Sequence, residues 1–127
     1  MTKKNKTILI VEDEQPLLQD LLTKFTKAGF QTLSAEDGET ALTMALAEHP
    51  DLILLDIILP KLDGLAMLKK LRADKWGKKA AVIILTKLSD DQLIAEAMES
   101  GVYDFLVKSS WEIDDLIRRV RENLGLE

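Results

Sequence analysis

The chain has 127 residues, 46% of them hydrophobic, and a formal net charge of −5. That is enough apolar content for one core and too little length for a second domain, and the acidic balance argues against nucleic-acid binding as its main business. With no cysteine, disulfides and thiolate metal sites are excluded and a reducing compartment is allowed.

Lys3, Lys4 and Lys6 precede an apolar stretch, but Thr7 to Val11 is too short for a signal segment and runs into Glu12-Asp13-Glu14. No stretch approaches a membrane span, so a cytoplasmic place and no membrane partner are expected. The polar start, residues 1–6, is expected to fray. Residues 7–11 read as a buried strand. Leu17, Leu18, Leu21, Leu22 and Phe25 then recur at helical spacing, and Gly29 is a helix stop. Phe30 to Ala35, with polar residues interleaved, suits an edge strand. Asp37-Gly38 starts a helix carrying Ala41, Leu42, Ala45 and Leu46, which ends before Pro50.

Residues 52–55 form the next strand, an unbroken apolar run closed by a carboxylate, Asp56. Residues 60–64 are a loop, and Leu65, Leu68 and Leu71 line the helix after it. Ala80 to Leu85 is a further apolar run. Asp90 can cap a helix with Leu93, Ile94, Ala97 and Met98, stopped near Gly101. Phe105 to Val107 is the last strand, and Ile113, Leu116, Ile117, Val120 and Leu124 stripe the last helix. Five β–α units in a row predict a parallel sheet with helices on both faces.

All strands of such a sheet point the same way. Glu12 and Asp13 after the first strand, Asp56 at the end of the third, Thr86 at the end of the fourth and Lys108 at the end of the fifth therefore gather at one edge. Taken singly, each has a plainer reading: a helix-capping acid, a turn threonine, a surface lysine. Asp56 is the least plain, because a buried strand rarely ends in an unpaired charge. Carboxylates forced together repel, and a hard divalent cation such as Mg2+ resolves this while leaving positions for phosphoryl oxygens. The chemistry favoured is phosphoryl transfer to or from a carboxylate.

On the segments 8–14 (ILIVEDE), 35–42 (AEDGETAL), 51–56 (DLILLD) and 60–64 (PKLDG), with Thr86 and 101–108, the sequence resembles the receiver domains of two-component response regulators over essentially its whole length. The resemblance implies a flavodoxin-like α/β fold: a doubly wound five-stranded parallel sheet of order 2-1-3-4-5 with five helices, one domain over 1–127 and no output domain within it. It implies that Asp56 accepts a phosphoryl group from a histidine kinase or phosphotransfer protein. Mg2+ would be bound directly by Asp13 and Asp56, through water by Glu12, and by the backbone carbonyl of Ile58. Lys108 would pair with the phosphoryl group. Thr86 would hydrogen-bond to it and, with Phe105 at the family's rotating aromatic position, carry the switch. An output domain or effector would read the 89–124 face; a homodimer is a further expected assembly, and no direct nucleic-acid contact is expected. Such a domain assists only its own phosphorylation and dephosphorylation and is not otherwise an enzyme.

Three positions depart from the family pattern. Lys87 stands where a small residue is usual; it either turns to solvent or leans over the site and modulates access. Ile58 offers no polar group to orient an attacking water, which, with Lys87, predicts slow self-dephosphorylation. Ser109 replaces the usual proline, and a cis Lys108–Ser109 bond would cost about 3–4 kcal/mol without it, so a trans bond or an altered loop is predicted. Trp111 is expected to pack beneath the final helix, and Arg118, Arg119 and Arg121 to form a solvated face or to meet an acidic dimer mate. Among rivals, a dehalogenase-type phosphatase would need an acid at position 58, a P-loop hydrolase would need its Gly-rich loop, and a flavodoxin would not carry three acids where a phosphate binds. A pseudo-receiver, an interaction module independent of phosphorylation, is the remaining alternative.

Overall fold

The alternation of apolar runs and helical stripes produces the five predicted β–α units. In the computed structural model, which describes residues 5–88 and 90–126, the order is β1 (Thr7–Val11), α1 (Gln15–Lys27), β2 (Gln31–Ala35), α2 (Gly38–Glu48), β3 (Leu52–Leu55), α3 (Gly64–Ala73), β4 (Val82–Thr86), α4 (Asp91–Glu99), β5 (Asp104–Val107) and α5 (Ile113–Asn123). Short 3-10 turns at Gly77–Lys79 and Lys108–Ser110 complete the list. The strands pair in parallel in the order β2-β1-β3-β4-β5.

This order reverses direction at β1. Right-handed crossovers therefore place helices on opposite faces. Successive strand side chains point to opposite sides, and two cores result. Leu9, Val11, Ile53, Leu55, Val82 and Ile84 pack with buried residues of α2, α3 and α4. Ile8, Ile10, Leu52, Leu54, Ile83 and Leu85 pack with Leu18, Leu21 and Phe25 of α1 and with Leu116 and Val120 of α5. Because both faces are covered, the central strands read as continuous apolar runs rather than alternating ones. Gly29 (φ 99°) and Gly101 (φ 77°) end α1 and α4 in the left-handed region.

Several expectations need correction. Fraying does not extend to Lys6, whose carbonyl accepts the Gln31 N–H at 2.9 Å; residues 1–4 lie outside the described residues, as does Ser89 at the start of the 89–124 face. The fourth strand starts at Val82, two residues later than the apolar run. The α4 stripe is only partly buried: Ala97 is in the core, whereas Met98 is 49% exposed. The arginines of α5 are not simply a solvated face. Arg119 pairs with Asp104 at 3.0 Å and lies over the Trp111 ring, Arg118 pairs with Asp115, and Arg121 donates to the Ala28 carbonyl. Trp111 packs against the α1–α5 core, as predicted. The Lys108–Ser109 bond is trans.

Candidate functional site

The site lies where the strand order reverses, at the C-terminal ends of β1 and β3. Val11 is in register with Leu55, and the Asp56 N–H donates to the Val11 carbonyl at 3.1 Å, so the acids that follow the two strands are brought side by side. Adjacent strands whose connections leave in opposite directions open a crevice at this edge. Among the described residues, three polar or charged side chains are buried, Glu12, Asp56 and Thr86, and all three stand here.

The loop after β3 is held by close backbone approach. The Gly64 N–H donates to the Ile57 carbonyl at 2.8 Å, and a Cβ at Gly64 would overlap the Asp56 carbonyl. Only glycine admits this contact, which fixes the start of α3 against the loop that carries Asp56. Asp63 then caps α3 by accepting the Ala66 N–H. Within the loop, Asp56 Oδ1 accepts the Ile58 N–H at 3.2 Å.

Lys108 opens the 3-10 turn after β5 and reaches back across the sheet edge. Its Nζ lies 2.9 Å from Asp56 Oδ2, 2.9 Å from Glu12 Oε1 and 2.6 Å from Glu14 Oε2. Carboxylate oxygens of Glu12, Asp13 and Asp56 come within 4.8 Å of one another. Burial raises the Glu12 pKa, more than its bonds from Lys108 and the Glu14 N–H lower it. Burial also opposes the Lys108 charge, but hydrogen bonds to Glu14, Glu12 and Asp56 outweigh it and hold the ammonium above the ordinary lysine range. The same bond from Lys108 lowers the Glu14 pKa. One ammonium cannot neutralise four clustered acids, and three hard oxygen donors close together fit a divalent cation such as Mg2+.

The remaining residues singled out from the sequence stand on the strands and loops beside this cluster or on the face behind it. Thr86 ends β4, and its hydroxyl accepts the Leu88 N–H at 3.5 Å. Ile58 is exposed. Lys87 is largely exposed, yet its Nζ comes within 3.6 Å of Glu14 Oε1. Phe105, paired with Ile84, is half-buried against the core on the α2–α4 face. Glu14 is the residue that sequence reasoning passed over. In the chain it is one more acid before a helix; its N-cap position does not involve its side chain in a cap bond, and it bonds to Lys108 instead. The third consecutive acid was the available signal.

Comparison with known proteins agrees with this geometry. Residues 8–121 match the response regulator receiver domain family. The chain is 35% identical over 127 residues to the regulatory protein AtoC of Escherichia coli, of which it spans 27%, and 38% identical over 104 residues to the alkaline phosphatase synthesis transcriptional regulatory protein PhoP of Bacillus subtilis, of which it spans 42%. The receiver domain of Francisella response regulator 1452 superposes with a TM-score of 0.85 at 36% identity, covering 95% of this chain and 98% of that one. The receiver domain of the sensor histidine kinase PA1611 of Pseudomonas aeruginosa, solved with a magnesium ion in its active-site cleft, superposes with a TM-score of 0.81 at 27% identity, covering 96% and 99%. With a sheet of the same order and the acids and lysine at its switch point, the chain belongs to the response regulator receiver domain family of two-component systems.

Proposed function

We propose that this domain is a phosphorylation switch in which Asp56 accepts a phosphoryl group from a histidine kinase or phosphotransfer protein. The observation that carries the proposal is the convergence on Asp56: a buried carboxylate with Lys108 at 2.9 Å and two further acids beside it. In the reaction, an Asp56 oxygen forms a bond to phosphorus as the bond from phosphorus to the donor's nitrogen breaks, and the leaving imidazole keeps that electron pair. Asp13 and Asp56 would hold Mg2+ directly, Glu12 through water and Ile58 through its carbonyl; the ion supplies charge neutralisation for the phosphoryl oxygens. Lys108 pairs with the transferred group and Thr86 donates its hydroxyl to it. Beyond its own phosphorylation and dephosphorylation the domain catalyses nothing.

The switch follows from the charge change. A phosphoryl group adds roughly one to two negative charges and several acceptor oxygens. Thr86 leaves its contact with the Leu88 N–H for the phosphoryl group, and Phe105 fills the space vacated. The α4–β5–α5 face, where Met98 and Tyr103 are exposed, changes with them and is read by an output domain or effector. The chain spans less than half of each of the two regulatory proteins named above, and its likeness to part of such regulators supports a role in controlling an output. Ile58, apolar at the mouth, and Lys87 at its rim make loss of the phosphoryl group slow.

The test is incubation with a small phosphodonor, with Mg2+ or with a chelator, followed by intact mass measurement over time. One added phosphoryl group, dependent on Mg2+ and slow to leave, is expected. No addition under any condition would favour a pseudo-receiver.

A further inference from the structure

The lysine that must bind the phosphoryl group is already fully engaged. An ammonium has three N–H donors, and Lys108 has three carboxylate oxygens at 2.9 Å or less, the shortest from Glu14. A phosphoryl group brings added negative charge and several acceptor oxygens where Asp56 offered one, so Lys108 can give it a second N–H only by releasing one of the other acids. Glu12 is buried and anchored, its Oε2 accepting the Glu14 N–H at 3.1 Å. Glu14 is 42% exposed, does not cap α1, and already has a second cation at its other oxygen: Lys87 Nζ, 3.6 Å from Oε1. Lys87 is itself 63% exposed and is free to follow.

We propose that Glu14 is a displaceable counter-ion: it occupies Lys108 in the unphosphorylated protein and passes to Lys87 when a phosphoryl group on Asp56 claims Lys108. Two features recommend it over a merely solvated pair. The bridge joins a partly exposed acid of the Lys108 cluster to a largely exposed cation outside it. The added phosphoryl charge both draws Lys108 and repels Glu14, so the same event breaks the inner pair and favours the outer one. Glu14 thus sets how readily Asp56 is charged, without touching the reacting atoms. This inference rests on the phosphoacceptor reading of Asp56.

The test measures the initial rate of phosphoryl uptake from phosphoramidate with Mg2+ in wild type, Glu14→Gln, Lys87→Met and the double variant. Raised salt screens long-range attraction of the anionic donor. Glu14→Gln frees Lys108 and is expected to speed uptake roughly two- to fivefold, the range of a partly exposed ion pair. Lys87→Met removes the acceptor of the displaced carboxylate and is expected to slow uptake about twofold in the wild-type background and not at all in the Glu14→Gln background. An equal slowing by Lys87→Met in both backgrounds, or no change with Glu14→Gln, would overturn the handover while leaving Asp56 as phosphoacceptor. If wild type takes up no phosphoryl group, the phosphoacceptor reading falls and this inference with it.

Discussion

Lys108 and Arg72 each tie distant parts of this chain together, and they do so with different partners. Lys108 reaches three carboxylates, of residues 12, 14 and 56. Among the described residues Arg72, near the end of α3, hydrogen-bonds to backbone alone: Nε donates to the Ser100 carbonyl at 2.6 Å, Nη1 to Gly77 and Ala80 at 2.7 Å each, and Nη2 to Gly101 at 3.1 Å. Burial lowers the Arg72 pKa, whereas for Lys108 burial is outweighed by the hydrogen bonds it donates to the carboxylates, which raise its pKa. Carbonyls cannot gain or lose charge, so the Arg72 cluster is a staple that fixes the loops before β4 and after α4. Carboxylates can be esterified, neutralised or displaced, so the Lys108 cluster is where a chemical event can be read. Pinning the C-terminal end of α4 leaves its N-terminal end, next to Thr86 and Lys87, as the part free to respond.

The contrast can be broken most forcefully at the staple. Arg72→Met should lower unfolding stability by about 3 kcal/mol, because it strands several carbonyls whose partner was charged. Urea denaturation checks this, and Arg72→Lys should recover less than half, since an ammonium lacks the planar fork. Phosphoryl uptake by the folded Arg72→Met protein should keep the wild-type rate. Lys108→Met should do the reverse, slowing uptake about a hundredfold, the scale of losing one preorganised charge at a reacting oxygen, as followed by mass measurement in time.

A smaller effect belongs to Asp37, which caps α2 by accepting the Thr40 N–H at 2.7 Å. Asp37→Ala should cost about 1 kcal/mol at neutral pH. The Thr40 N–H holds the carboxyl below its ordinary 3.8, so the cap's ionic contribution is present above that value and is lost as pH falls through the lower folded pKa. Wild type and variant should therefore converge at acid pH in the same urea experiment. The smallest change is at the mouth of the site, where Ile58→Asn should speed phosphoryl release a fewfold by giving the attacking water a partner, on the scale of one hydrogen bond. Unchanged release would remove Ile58 from the account of slow turnover.

What the sequence made legible follows from range. β1, β3 and β4 are buried on both faces, so their apolar runs announce them, and parallel direction alone sends Glu12, Asp56 and Thr86 to one edge. Helix starts at Asp37 and Asp90 are local and were readable too. Glu14 was not, because its role depends on the reach of a lysine 94 residues away. Nor was the Arg72 staple, whose acceptors are main-chain carbonyls that carry no residue signature. The pairing of Arg119 with Asp104 needed the register of β5 against α5, which a helical stripe does not specify.

In the proposed switch Asp56 is the residue that carries the phosphoryl group. Reductive trapping tests it directly: an acyl phosphate treated with borohydride becomes an alcohol, so phosphodonor treatment with Mg2+, reduction and peptide mass mapping locate it. The account predicts homoserine at position 56 alone, and none in Asp56→Asn. Reduction at Glu12 or Asp13 instead, or at no carboxylate in the wild type, would contradict it.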